Sequence, residues 1–126
     1  MPKTGIAMKT PPTMPYKRGD VVLVPYPFVE RDASKKRPAV IVSSNAYNTV
    51  CPDIIIALVT SRRSLPPRPG DHRLADWRAA GLIAPSTVRS RLATLVSSRV
   101  IRLVGRLSHS DLAGVDRGLR LTLDLT

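Results

Sequence analysis

The stretch PAVIVSSNAYNTVCPDIIIALVT, residues 38–60, decides the fold of this chain. It contains two apolar, β-branched runs, residues 38–43 and residues 53–60, and such runs are typical of strands whose two faces are both covered. A third apolar run begins at Asp20 and meets Pro25 and Pro27, which should mark the end of the strand or an edge of the sheet. We therefore expect these runs to form the centre of a small sheet.

The second half of the chain adds strands with one charged face and a final helix. Residues 87–96 and 99–107 alternate cations with apolar residues, which is the pattern of strands with one wet, basic face. Residues 71–74 favour a short strand, and residues 76–80 favour a helical turn closed by Gly81. Ser108 to Asp111 resemble a capping box, and apolar residues follow at helical spacing, so a C-terminal helix should cover one face of the sheet. Five or six strands and one final helix predict a mostly β fold, built as a compact, mostly antiparallel small barrel.

The length of 126 residues fits a single domain. Residues 1–16 contain four prolines and no periodic pattern, so we expect a flexible leader followed by one domain over residues 17–126. The longest apolar run, residues 54–59, is too short to cross a bilayer, and the first residues lack the apolar core of a secretory signal. We therefore expect a cytoplasmic protein with no membrane partner. One cysteine and two histidines disfavour a disulfide and a metal site, and we expect no cofactor.

The charge balance points to a polyanionic partner. The chain has 20 lysines and arginines against 9 acidic residues, a formal net charge of +11, and 15 of the 20 cations are arginine. Codon bias would explain the excess of arginine over lysine, but it would not explain the shortage of acids. Arginine's planar fork binds phosphate at two points, which favours nucleic acid. A strongly acidic protein would suit the same surface equally well.

Two strand ends carry the candidate chemistry. Arg37 stands at the mouth of a buried strand and is followed by Pro38, and the strand over residues 53–60 ends at Thr60, which Ser61, Arg62 and Arg63 follow. If neighbouring strands bring these ends together, they form a phosphate site. The alternative from composition alone is a solvated loop and an ordinary strand terminus.

Three blocks, KRGDVVLV (17–24), KRPAVIVS (36–43) and ALVTS (57–61), resemble in order and spacing those of the PemK/MazF toxins of bacterial toxin-antitoxin systems. The match continues through DWRAAGL (76–82), PSTVR (85–89) and VGRLS (104–108), and it covers about residues 17–125. The resemblance implies a small Src-homology-3-like barrel of the CcdB/MazF/PemK (plasmid maintenance toxin) fold and a symmetric homodimer. It also implies a metal-independent endoribonuclease that cleaves single-stranded RNA at short sequences, and a small antitoxin whose acidic, disordered tail inhibits it.

By the same resemblance, Arg37 and Thr60 match the two catalytic positions of the family. The implied reaction is attack of the RNA 2′-OH on the adjacent phosphorus, which leaves a 2′,3′-cyclic phosphate and a 5′-OH. We also predict RNA contacts for the side chains of Lys36, Ser61, Arg62 and Arg89.

The general base is an open question at this stage. Some relatives carry an Arg-x-Asp pair where this chain reads Arg89-Ser90-Arg91, so that acid is missing, and Glu30 or Asp32 could assist instead. Trp77 and Tyr26 are either base-stacking platforms or packing residues.

Two other functions are compatible with the same blocks. A CcdB-like toxin would poison DNA gyrase by binding and would need neither Arg37 nor Thr60. A nucleic-acid-binding barrel without catalysis would keep a salt-dependent affinity and would not cleave RNA. The intact Arg-Pro and Val-Thr-Ser blocks favour the ribonuclease.

Overall fold

Six antiparallel strands form one sheet in the computed structural model, which describes residues 15–25 and 35–126. The strands are β1 (Asp20–Pro25), β2 (Lys36–Ile41), β3 (Asp53–Thr60), β4 (His72–Arg73), β5 (Thr87–Val96) and β6 (Arg102–Arg106). A short helix, α1 (Asn45–Val50), precedes β3, and a longer helix, α2 (His109–Leu123), follows β6. The strands lie in the order β4-β5-β3-β2-β1-β6, and the sheet curls into a half-barrel. The prediction of a mostly β fold with a C-terminal helix is confirmed.

Apolar cores lie on both faces of the sheet, because successive side chains of a strand point to opposite faces. Val21 of β1 belongs to one core and its neighbour Val22 belongs to the other. Helix α2 contributes Val115 to the first core, so the predicted helix does cover one face. Strand β3 contributes to both cores, as its continuous apolar sequence predicted.

Some boundaries differ from the sequence predictions. β3 and β5 coincide with the predicted ranges, whereas β2 begins two residues before residue 38. Residues 45–50, for which the sequence predicts no element, form helix α1. The helix begins where the Ser44 hydroxyl accepts the Tyr47 N–H at 3.0 Å. The strand predicted over residues 99–107 is wrong at its start. Ser97–Arg99 form a 3-10 turn, and pairing with β1 covers Arg102–Arg106 only.

Helix α2 begins as the capping box predicted and is tied to the segment that follows β4. The Ser108 hydroxyl accepts the Asp111 N–H at 3.2 Å. The Asp111 carboxylate is buried and accepts the N–H groups of Ala75 and Asp76 at 3.0 and 2.9 Å, and it lies 2.9 Å from His72 Nε2. One side chain therefore joins the helix start, β4 and the following turn. That turn closes at Gly81, whose φ of +86° is the left-handed conformation that glycine adopts readily.

Several predictions concern residues outside the described ranges. The leader over residues 1–16 falls almost wholly there, as do Tyr26, Glu30 and Asp32. Within the described ranges, no helix has the length and apolar character needed to cross a membrane.

Candidate active site

The central strands β2 and β3 separate at one end of the sheet and open a groove there. Their pairing runs from Ile41↔Ile56 to Ala39↔Leu58, and Pro38, which has no N–H to donate, comes next. Arg37 on β2 and Thr60 on β3 each lie two residues beyond the Ala39↔Leu58 pair. Both are half-buried, and both line the same groove of about 420 Å³. The structure thus brings the two strand ends together.

Other elements build the remaining walls of the groove. Leu23 of β1 pairs with Pro38 on one side and with Arg102 of β6 on the other, and all three residues line the groove. The turn that follows Gly81 contributes Ile83, which is almost fully exposed. The floor is apolar, and charged groups stand around it.

Those charged groups are all cations. Four arginines line the groove, namely Arg37, Arg62, Arg91 and Arg102. Among the described lining residues there is no carboxylate and no histidine. Positive charge concentrated in a cleft with apolar walls attracts anions strongly. Each guanidinium can bind a phosphate at two points.

The Thr60 hydroxyl is oriented by its own backbone. Its oxygen accepts the Arg62 N–H at 3.1 Å, which makes a local turn at the end of β3. Since a hydroxyl carries one proton as well as its lone pairs, the O–H of Thr60 remains available to donate toward a group in the groove.

A bulge in β5 places Arg89 and Arg91 in different environments. Pairing with β3 passes from Ala57↔Leu92 to Val59↔Val88, so extra residues of β5 stand opposite Leu58. Arg91 emerges exposed in the groove. Arg89 is 6% exposed, and its Nη2 donates to the Pro66 carbonyl at 2.5 Å and lies 3.4 Å from Asp71 Oδ2. The prediction that the cations of residues 87–96 face solvent is therefore wrong for Arg89, which is buried.

The other predicted RNA-binding residues divide into two groups. Ser61 and Arg62 are exposed and line the groove. Lys36 is exposed on β2 but is not among the residues that line it. Arg91 and Arg102 were not assigned to the site from the sequence, although both lie in the segments whose alternating cations predicted a basic face.

The groove is not lined by Trp77, His72 or Cys51. Trp77 is half-buried and packs against the first core, with the Arg78 guanidinium carbon 4.6 Å from the centroid of its ring. His72 is engaged by Asp111, and Cys51 is a free, half-buried thiol. Over residues 15–25 and 35–126, no three His, Cys, Asp or Glu side chains come together in a way that could hold a metal ion.

Comparison with known proteins gives one family and a set of similar structures. The model of the PemK-like, MazF-like toxins of type II toxin-antitoxin systems matches residues 17–123. An endoribonuclease in complex with its cognate antitoxin from a mycobacterial species is 18% identical with a TM-score of 0.71, and the match covers 88% of this chain and 97% of that one. MazF in the MazE-MazF complex (Form-II) of Deinococcus radiodurans is 21% identical with a TM-score of 0.68, over 90% and 100% of the two chains.

The toxin MazF-mt6 of Mycobacterium tuberculosis is 17% identical with a TM-score of 0.68, over 85% of this chain and 98% of that one. At these identities the likeness shows the fold. No curated protein matches the sequence.

Proposed function

The chain belongs to the PemK-like, MazF-like toxins of type II toxin-antitoxin systems, and we propose that it acts as an endoribonuclease that cleaves single-stranded RNA without a metal ion. The observation that carries the proposal is the placement of Arg37 and Thr60 at the same end of two neighbouring strands, in one cationic groove. Similar solved structures include endoribonucleases, which supports the same reaction class.

The proposed reaction uses the RNA's own hydroxyl as the nucleophile, so the protein has only to orient it and stabilise charge. The 2′-oxygen attacks the adjacent phosphorus and loses its proton. The new O2′–P bond forms as the P–O5′ bond breaks, and the leaving 5′-oxygen takes up a proton. The products are a 2′,3′-cyclic phosphate and a 5′-OH.

Arg37 and Thr60 act on the charge that develops on the phosphorane-like transition state. Arg37 donates its forked N–H groups to the non-bridging oxygens. Thr60, whose oxygen is held by the Arg62 N–H, donates its O–H to the same phosphate. Arg91 and Arg102 add positive charge from the facing walls. Because both residues already line the same groove, little rearrangement of the backbone is needed when the substrate binds.

The described residues that line the groove include no carboxylate or histidine that could accept the proton. Glu30 and Asp32 belong to the segment between β1 and β2 that the structure does not describe, so their assistance stays a prediction from the sequence.

The proposed partners follow from the same surface. An antitoxin with an acidic tail complements a groove lined by four arginines, and similar solved structures include toxins in complex with their antitoxins. A symmetric homodimer is proposed as the working form. In its support, the edge strand β6 exposes Leu103, and Ile101 just before β6 is exposed as well. We propose a cytoplasmic location, which is consistent with an RNA substrate.

Incubation of the purified protein with a long unstructured RNA in EDTA tests the activity. The wild type should cut at one short sequence and leave cyclic phosphate ends. Arg37→Ala and Thr60→Ala should each lose about 10²-fold or more in rate, which is the usual loss when one such donor is removed. Arg99→Ala is the matched control, since Arg99 is exposed and lines neither the groove nor the neighbouring pocket.

Two results would overturn the proposal. If the folded wild type cuts none of a broad panel of RNAs, the ribonuclease assignment fails, and a gyrase-poisoning assay becomes the next test. If Arg37→Ala cuts at the wild-type rate, the proposed catalytic role of Arg37 is wrong.

A further inference from the structure

A second pocket lies beside the groove and shares part of its wall. Thr60, Ser61 and Arg62 line both cavities and therefore stand as a ridge between them. The pocket has a volume of about 520 Å³, which is within the range that holds a small ligand. Its other walls come from the segment between β3 and β4, from β4 itself and from the residues just before β5. A polymer bound across the ridge would therefore meet both cavities.

The charge of this pocket suits a phosphate group. Arg62, Arg63, Arg73 and Arg89 line it together with one carboxylate, Asp71. Asp71 already pairs with Arg89 at 3.4 Å. Within residues 15–25 and 35–126, no acidic side chain forms an ion pair with Arg63 or Arg73, and both arginines are exposed. Two exposed arginines that pair with no described carboxylate thus line the pocket.

The same pocket has an apolar wall of the kind that accepts a planar base. Leu74 and Trp77 contribute to it, and two prolines of the adjoining segments, Pro67 and Pro85, complete it. A nucleobase in single-stranded RNA is free to turn out of a stack and to pack on such surfaces. Arginines that can bind a phosphate lie beside an apolar wall that can pack against a base, and this combination suits a nucleotide. Either feature alone would suit many other ligands.

The pocket is held in shape before any ligand arrives. The buried Arg89 guanidinium binds the Pro66 carbonyl at 2.5 Å, and Asp71 Oδ2 accepts the Arg68 N–H at 2.9 Å. These bonds fix the segment between β3 and β4 against β5. A preformed pocket spares the ligand the entropy of ordering that segment.

We propose that this second pocket holds the nucleotide next to the scissile phosphate, with Arg63 and Arg73 on its flanking phosphate and its base against the apolar wall. The inference rests on the proposed function for its substrate, RNA, and for the position of the scissile phosphate at Arg37 and Thr60. It assigns to the pocket the recognition of one base beside the cut.

The test compares two double variants that remove the same charge. Arg63→Ala/Arg73→Ala alters this pocket only, because neither residue lines the groove. Arg99→Ala/Arg117→Ala is the control, since these two exposed arginines line neither cavity. The probe is a single-stranded RNA whose cut site carries one 2′-deoxy sugar and so cannot react. Its dissociation constant is measured by fluorescence anisotropy at several salt concentrations, and a cleavable RNA is used to map the cut sequence.

The pocket variant should bind the uncleavable strand about 10-fold or more weakly than the control variant. Its plot of log K against log salt should be shallower by about 0.7, because the variant loses one phosphate contact and each such contact on a single strand contributes about 0.7. In the cleavage map, the base preference at one position beside the cut should weaken, and the preferences at other positions should remain.

Equal affinity, equal salt slope and an unchanged cut sequence in the two double variants would overturn the subsite and leave the ribonuclease standing. Absence of cleavage by the wild type would instead overturn the proposed function, and the two double variants would then be compared for binding of an unmodified single-stranded RNA, which is not cut. Circular dichroism melting of both double variants confirms that each is folded.

Discussion

Replacement of Arg89 by methionine should destabilise the fold and leave the number of RNA phosphate contacts unchanged. Arg89 is 6% exposed and its partner Asp71 is 12% exposed, so the change would leave a largely buried carboxylate without its cation. The Pro66 carbonyl would also lose the donor that stands 2.5 Å away. Breaking such a buried pair costs about 3–5 kcal/mol, and a lost hydrogen bond adds about 1 kcal/mol.

The apolar stem of methionine keeps the packing of the arginine stem, so we expect a loss at the lower end of this sum, about 4 kcal/mol. That loss corresponds to a fall in Tm of about 15 °C for a domain of this size. Urea unfolding followed by circular dichroism measures it. The double variant Arg89→Met/Asp71→Asn should be less destabilised than the sum of the two single variants by about 1–3 kcal/mol, since the orphaned charge is removed with its partner.

Binding of a single-stranded RNA over a salt series decides between the two roles of Arg89. A structural role leaves the slope of log K against log salt at the wild-type value. A change of less than about 1 kcal/mol in the free energy of unfolding, together with a salt slope shallower by about 0.7, would refute the structural role of Arg89. Arg89 would then contact an RNA phosphate directly, as its sequence position predicted.

Three further predictions follow from single side chains. Thr60→Val should slow RNA cleavage by about 10²-fold or more, and Thr60→Ser should retain most of the rate, since only the hydroxyl is used; equal rates for the two variants in a fragment assay would contradict the role. Burial alone would raise the pKa of Asp111, but hydrogen bonds from the Ala75 N–H, from His72 and from the Asp76 N–H outweigh it and lower that pKa. The stability that this carboxylate contributes is therefore present above its unfolded pKa and is lost as pH falls through the lowered folded pKa. The wild type should be more stable than Asp111→Asn in urea unfolding at pH 7, and this difference should shrink toward pH about 3. A difference that grows toward acid would contradict the prediction. Leu103→Glu on the exposed edge strand should dissociate the proposed homodimer in light scattering, whereas a dimer that persists would move the interface away from β6.

Much of the fold was predictable because its signals are local. Continuous β-branched runs marked β1 and β3, and the Ser108 cap with helical spacing after it marked α2. Helix α1 could not be predicted from the sequence because it has only six residues, and its only local signal is the Ser44 cap. The start of β6 was predicted too early, because the alternation of cations and apolar residues continues from the 3-10 turn at Ser97–Arg99 into the strand.

The candidate site was predictable only in part. Arg37 and Thr60 stand out in the sequence since each is polar and adjoins a buried strand, but their meeting depends on β2 and β3 pairing as antiparallel neighbours and separating at Pro38. The second pocket has no local signal at all, because the residues that line it are spread between residues 60 and 89.

Local sequence was sufficient for the strands, the final helix and the basic character of the surface, because periodicity, caps and charge act over a few neighbouring residues. The tertiary structure alone decided which arginines serve the groove. Strict alternation along β5 would place Arg89 and Arg91 on one face, but the bulge against β3 buries Arg89 beside Asp71 and turns Arg91 into the groove, where the β1–β6 pairing also delivers Arg102. The side chain that a strand presents at a bulge is determined by the register of its partner strand, and that register is a property of the assembled sheet.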